Sequence, residues 1–118
     1  MLYFYFPAPN VSVQVSGSGV TPTAGEDYQL TCSVSGDENL NPTNTTYRWT
    51  KNSGSSQTQV GTNSSTLSFT PFRLSDAASY VCEVTIRSSY LASDITAVTN
   101  SFSIRIQCEL KCYSTIYM

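Results

Sequence analysis

The residues of this chain best suited to chemistry are its four cysteines, Cys32, Cys82, Cys108 and Cys112. A thiol can act as a nucleophile, as a metal ligand or as half of a disulfide. Catalytic and metal-binding sites most often draw on histidine as the general base or as a ligand, and this 118-residue chain has none. The sequence therefore predicts that the chain is not an enzyme and holds neither a cofactor nor a metal ion.

Charged residues are sparse and offer no binding site for a polyanion. Six Lys and Arg against eight Asp and Glu give a net charge of −2, which excludes a basic footprint for nucleic acid or anionic lipid. The adjacent carboxylates Glu26–Asp27 and Asp37–Glu38 fall in turn segments, where acidic residues are ordinarily solvated. No run of about 18 apolar residues is present, so we expect no membrane span in this fragment.

Apolar and polar residues alternate in short runs, the pattern of half-buried β-strands. About seven such runs, separated by turns and without an amphipathic helix, predict an all-β antiparallel sandwich or barrel. A weak strand is expected at Gln59–Val60, a polar loop at 35–46, and a single helical turn at 74–78 capped by Ser75 or Asp76. The predicted inward positions are Val11, Val13 and Val15; Tyr28, Leu30, Cys32 and Val34; Tyr47 and Trp49; Leu67 and Phe69; Tyr80, Cys82, Val84 and Ile86; and Phe102, Ile104 and Ile106.

One constellation of these inward residues is specific. Cys32 and Cys82 lie on the buried sides of two strands, with Trp49, the only tryptophan, between them in sequence. The string D-x-A-x-Y-x-C ends at Cys82, with Tyr80 two residues before it, and an L-x-F pair beginning at Leu67 precedes the string. With these motifs, residues 7–107 resemble the immunoglobulin superfamily, whose fold is a two-sheet Greek-key sandwich.

The resemblance implies roles for the core residues. Cys32 and Cys82 would form the disulfide that joins the two sheets, and Trp49 would pack against it. The hydroxyl of Tyr80 would bond back to the turn before its strand. The 50-residue spacing of the two cysteines is too short for two extra variable-type strands, so the resemblance is to an intermediate or constant-2-like domain of an invertebrate-type cell-surface receptor or adhesion protein.

The segments outside the predicted domain are an N-terminal extension at 1–6 and a C-terminal tail at 108–118. Fully extended, the residues between Cys108 and Cys112 span roughly 13 Å, too far for a disulfide, whereas a helical turn would bring the thiols together. The tail is interpreted as a foreign or out-of-frame extension, a stalk that forms intermolecular disulfides, or the start of another module.

Three N-x-S/T sequons are predicted sites of N-glycosylation: Asn10, Asn44 and Asn63. All three fall outside the centres of the predicted strands, where a glycan would be tolerated. Asn44 is placed in the polar loop before Trp49, where its glycan would shield that end of the sandwich.

The resemblance implies an extracellular recognition module of a cell-surface adhesion molecule or receptor, such as a receptor tyrosine kinase ectodomain, that binds a protein ligand or a homophilic partner. The alternative is a structural spacer domain of an intracellular multi-domain array. Tyr90 and Leu91 are candidate ligand contacts in the 88–94 hairpin, although folding of Tyr90 back onto its own hairpin is the favoured interpretation. Arg48, Glu83 and Arg87 are candidates on the sheet face, where Arg48 and Glu83 are also a candidate cross-strand ion pair.

Overall fold

The computed structural model describes residues 11–19, 21–36, 42–89 and 92–105. Eight strands and one 3-10 turn follow one another along these ranges. They are β1 (Ser12–Gly17), β2 (Tyr28–Ser35), β3 (Pro42–Ser53), β4 (Ser56–Val60), β5 (Thr66–Phe69), the 3-10 turn (Leu74–Asp76), β6 (Ser79–Ser88), β7 (Ile95–Val98) and β8 (Phe102–Ser103). No helix within the described ranges has the length and hydropathy to cross a membrane.

The strands form two antiparallel sheets that face each other as a sandwich. The smaller sheet has the order β1-β2-β5, and the larger has the order β4-β3-β6-β7 with β8 also paired to β6. The chain changes sheet three times, between β2 and β3, between β4 and β5 and between β5 and β6, so neighbours in space are not always neighbours in sequence. The predicted all-β immunoglobulin-like sandwich is confirmed.

The interior is formed by the inward positions of the alternating runs. Leu30, Trp49, Tyr80 and Cys82 have almost no exposed surface, nor do Val84 and Ile86 on the same strand β6. Phe72, which the alternation did not indicate because it lies outside any strand, is equally buried. Its ring makes edge-on contacts with Tyr28 and Phe69 at centroid distances of 5.8 and 5.2 Å. Such aromatic pairs add to the free energy gained from burial alone.

Three local predictions differ from the structure. Residues 42–46, predicted as loop, form the start of β3, because backbone pairing with β6 supplies the order that their polar side chains do not indicate. The Ser- and Gly-rich segment Asn52–Gln57, whose composition predicts a turn, forms one only at Gly54–Ser55, with Gly54 in the left-handed region at φ 61°. The final strand is split into β7 and β8, interrupted at Thr99–Ser101, and both parts pair with β6.

The helical turn is present but its cap is not Ser75. The backbone N–H of Arg73 donates to the carboxylate of Asp76 at 2.8 Å, so Asp76 closes the turn, which was the alternative expectation. The backbone oxygen of Ser75 instead accepts a hydrogen bond from the ammonium group of Lys51 at 2.5 Å. This contact ties the turn to β3.

Candidate functional site

A disulfide between Cys32 and Cys82 joins the two sheets at the centre of the molecule. The two Cα atoms lie 6.3 Å apart, one on β2 and the other on β6. Trp49 is the direct cross-strand neighbour of Cys82 and is fully buried beside it. The cystine has almost no exposed surface with which a reactant could make contact, so its role here is structural.

Thr99 braces the Cys82 side of this cystine. Its backbone N–H donates to the carbonyl of Cys82 at 2.9 Å, and its hydroxyl accepts the N–H of Cys82 at 3.0 Å. A buried threonine between two short strands therefore satisfies both backbone groups of the cysteine. Sequence reasoning missed this residue, because its polar side chain gave no sign of burial.

The hydroxyl of Tyr80 donates to the backbone oxygen of Asp76 at 2.5 Å. This bond links the start of β6 to the 3-10 turn before it. Burial raises the pKa of Tyr80, and the nearby negative charge of Asp76 raises it further. The phenol is therefore held neutral as a hydrogen-bond donor, and nothing in its surroundings makes it a nucleophile.

The connection between β4 and β5 is held at three successive residues around the cystine. Asn63 accepts the backbone N–H of Tyr47 through its side-chain oxygen at 2.7 Å. The next carbonyl, of Ser64, accepts the indole N–H of Trp49 at 2.9 Å, and that of Ser65 accepts the N–H of Cys32 at 2.7 Å. Tyr47 lies on β3 beyond the point where its pairing with β4 ends, and the Asn63 side chain there takes the place of a further β4 residue as hydrogen-bond acceptor. This sequon residue thus carries a structural contact that the motif alone did not indicate.

The outer face of the larger sheet carries the predicted sheet-face contacts. Residues directly opposite each other on neighbouring antiparallel strands project to the same side. Arg48 lies opposite Glu83, which lies opposite Val98, so these three form one row across β3, β6 and β7. We call this surface the charged face; it comprises Asn44, Thr46, Arg48, Thr50, Val81, Glu83, Thr85, Arg87, Asp94, Thr96 and Val98.

The charges of this face are paired at its edge and unpaired at its centre. The guanidinium of Arg87 contacts the carboxylate of Asp94 at 3.4 Å, and this is the sole salt bridge among the described residues. Arg48 and Glu83 are direct neighbours, as expected, but do not form the candidate ion pair; an exposed pair gains little free energy to offset the lost freedom of two long side chains. Beside them Val98 is 56% exposed. Within the described ranges, an opposite-charge pair and an exposed apolar residue thus stand side by side without partners.

Asn44 lies on this same face, and its predicted location in a loop is wrong. It is an exposed residue of β3 and the cross-strand neighbour of Arg87. A glycan on Asn44 would therefore cover the charged face instead of the end of the sandwich. The other predicted residues, Asn10, Tyr90 and Leu91, lie outside the described residues.

The outer face of the smaller sheet has a different composition. Every outward side chain there is a hydroxyl or a carboxamide, without a charged or an apolar residue. We call this surface the hydroxyl face; it comprises Ser12, Gln14, Ser16, Gln29, Thr31, Ser33, Ser35, Thr66 and Ser68. Some of these groups bond across the strands, as in the 2.7 Å contact between the hydroxyls of Ser12 and Ser35.

No catalytic or metal-binding constellation is found in the part of the chain that the structure describes. Those residues contain no group of three or more His, Cys, Asp or Glu side chains that would hold a metal ion. The clefts are open surface depressions, one of the larger of which has a volume of about 450 Å³ and lies between Asn52 and Arg105. The charged face, which combines unpaired opposite charges with an exposed valine, is the strongest candidate site for binding among the described residues.

Comparisons with known proteins agree with this geometry. The model of a family described as the immunoglobulin domain matches residues 9–85. Among solved structures, the three N-terminal domains of the Highly Immunogenic Outer Capsid protein (Hoc) of bacteriophage RB49 are similar, at 26% sequence identity and a TM-score of 0.64. That match covers 80% of this chain and 28% of the capsid protein chain. No protein with a curated description matches. Because the family match spans more than half of the sequence and the strands form the corresponding sandwich, the chain belongs to the immunoglobulin domain family.

Proposed function

We propose that this chain is an extracellular protein-recognition module that binds its partner through the charged face. The observation that carries the proposal is the row of Arg48, Glu83 and Val98, in which two opposite charges without an ion pair adjoin an exposed apolar side chain. Complementary charges give an interface its specificity and its rate of association. The sandwich beneath supports this row, because each of its residues is adjacent along the chain to at least one buried residue.

The extracellular location is supported by the cystine. Disulfides form and persist in oxidising surroundings and are rare in reducing compartments. The exposed sequon residues Asn44 and Asn63 are in keeping with the same location. A free thiol pair at Cys32 and Cys82 in protein from its native source would favour the alternative of an intracellular spacer domain, and thiol labelling of that protein decides between the two.

Within this class, we further propose that the module belongs to a cell-surface receptor or adhesion protein of the invertebrate type. The pairing of β4 with β3, and not with β5, supports the constant-2-like or intermediate assignment, since constant-type domains place their fourth strand in the other sheet. The similarity to a phage outer capsid protein supports a second candidate, a domain displayed on the exterior of a virus particle. Both candidates use the domain as a surface for protein contacts.

The test is a capture experiment with matched variants. Beads carrying the wild-type chain are incubated with intact cells and extracellular fluid from the source, and bound proteins are identified by mass spectrometry. We expect capture to be lost with Arg48→Glu and Arg87→Glu, and retained with Thr31→Glu and Ser33→Glu on the hydroxyl face. Equal capture by all four variants would contradict the use of the charged face.

Binding by the 88–94 hairpin is tested in the same way. Tyr90→Ala and Leu91→Ser reduce capture if the hairpin extends the contact surface, and circular dichroism checks that both variants are folded. Capture that is unchanged in both would remove the hairpin from the proposal and leave the charged face alone.

A further inference from the structure

We infer that the partner recognised by the charged face is a second copy of this chain, with Arg48 of each copy placed against Glu83 of the other. This inference rests on the proposed function and names its partner. It starts from the unpaired opposite charges of Arg48 and Glu83 on adjacent strands. A surface that carries both signs side by side can be complementary to itself.

The arrangement of the charges selects one symmetry. Neighbouring strands lie about 4.8 Å apart, and packed sheets about 10 Å apart. A two-fold axis between two facing sheets, parallel to the strands and midway between β3 and β6, places β3 of one copy over β6 of the other. Arg48 then meets Glu83 twice, as an isologous interface requires. An axis perpendicular to the strands in the same plane would instead bring like charges together.

The two rows on either side of Arg48 and Glu83 accept the same packing. With the axis parallel to the strands, Thr46 faces Thr85 and Thr50 faces Val81, because each pair occupies opposite positions on β3 and β6. These are small or β-branched side chains that carry no charge. Val98, on the far side of Glu83, comes over the end of β4 in the other copy, where its exposed surface would be covered.

The interface is small, so its affinity is expected to be low. Four strands of about five residues cover an area of roughly 20 by 17 Å, which lies below the size of a typical stable interface. Association is therefore expected at high micromolar concentration or above, and it becomes effective where many copies are displayed together.

The experiment is sedimentation equilibrium on the full chain, unglycosylated, from micromolar to millimolar concentration. Cys108→Ser and Cys112→Ser are present in every sample, so that no intermolecular disulfide contributes to the measured association. We expect wild type to form dimers, and Arg48→Glu and Glu83→Arg each to raise the dimer dissociation constant about tenfold or more.

The deciding sample is an equimolar mixture of Arg48→Glu with Glu83→Arg. Opposite charges are restored at both contacts only between unlike copies, so the mixture associates as tightly as wild type if the inference holds. Thr31→Glu on the hydroxyl face leaves the dissociation constant unchanged, and circular dichroism checks the fold of each variant.

Two outcomes would overturn the inference: a wild-type chain that stays monomeric at millimolar concentration, or a mixture that associates no better than either variant alone. The capture experiment keeps this failure separate from that of the proposed function. A monomeric chain that still captures another protein through Arg48 and Arg87 loses the second copy as its partner but keeps its recognition face.

Discussion

The two outer faces of the sandwich cover one interior and yet differ completely in chemistry. The hydroxyl face presents only serine, threonine and glutamine, whereas the charged face carries two arginines, two acidic residues and an exposed valine. The inward positions of both sheets are alike, with Leu30 on one and Val84 on the other buried without exposed surface. The proposal that partners bind the charged face rests on this difference between the outward positions.

The two faces also differ in how far their polar side chains are paired within the chain. On the hydroxyl face, Ser12 bonds to Ser35 and the amide of Gln29 donates to Ser68 at 3.4 Å, so cross-strand pairs satisfy part of the polar groups. On the charged face, Arg48 and Glu83 form no ion pair with each other or with another described residue. The central charges of the charged face are thus unpaired among the described residues, whereas part of the hydroxyl face is hydrogen-bonded across its strands.

The largest effect is expected from removing the cystine, which supports both faces at once. The double variant Cys32→Ala with Cys82→Ala opens a loop of 50 residues and should lower the free energy of unfolding by about 4 kcal/mol. Urea denaturation monitored by the fluorescence of Trp49 measures the loss. A change below about 1 kcal/mol would mean that the two sheets are held together by packing alone.

A smaller loss of stability is expected from removing a single tyrosine hydroxyl, and the loss should differ between the two sheets. On the larger sheet, Tyr80→Phe removes the 2.5 Å bond from β6 to Asp76 of the 3-10 turn and should lower the free energy of unfolding by about 1–2 kcal/mol. Tyr28→Phe on the smaller sheet removes a 3.3 Å bond to Gly19 and should cost less. Chemical denaturation of both variants compares them, and an equal cost would contradict the greater importance of the bond that anchors β6.

Alkaline pH provides a second comparison of these tyrosines. Burial raises the pKa of Tyr80 and of Tyr28 above the ordinary value of 10.0, so the folded state holds both phenolic protons more tightly than the unfolded state. The corresponding stability is complete below pH 10 and falls as the pH rises above it. Thermal melting between pH 9 and 11.5 should show a shallower decline in Tyr80→Phe than in wild type or Tyr28→Phe. Parallel curves would contradict the raised pKa of Tyr80.

Glycosylation at Asn44 should weaken self-association through the charged face. A glycan on this exposed residue of β3 stands beside Arg87, in the path of a second copy. Protein from a glycosylating host should therefore dimerise about tenfold more weakly, equivalent to about 1.4 kcal/mol. In Asn44→Gln the association should return to that of the unglycosylated chain. Asn63→Gln removes the glycan in the β4–β5 connection and should not restore association; because the Asn63 side chain also accepts the backbone N–H of Tyr47, circular dichroism checks the fold of this control.

The smallest effects are expected on stability from single charges on either face. Arg48→Glu and Thr31→Glu are both exposed and should each change the free energy of unfolding by less than about 0.5 kcal/mol. Chemical denaturation of the two variants checks this. A large loss in Arg48→Glu alone would show that its effect on association arises from damage to the fold.

Much of the fold followed from local patterns in the sequence. Strict alternation placed Cys32 and Cys82 on the buried sides of their strands, because a strand buried on one side repeats with a period of two residues. The family motifs then implied the disulfide, which the structure contains. The sheet-face candidates Arg48, Glu83 and Arg87 also came from this alternation, and the structure brings all three to one face.

What the sequence determined by itself was which residues are buried in each strand; the tertiary structure alone decided which strands and side chains meet. Asn44 was placed in a loop because no apolar repeat marks residues 42–46, yet pairing with β6 orders them and turns Asn44 toward the charged face. Thr99 and Asn63 gave no local signal, since the groups they satisfy, on Cys82 and Tyr47, are distant in sequence. The physical reason is that burial repeats along a strand, whereas pairing between strands depends on contacts that no local repeat encodes.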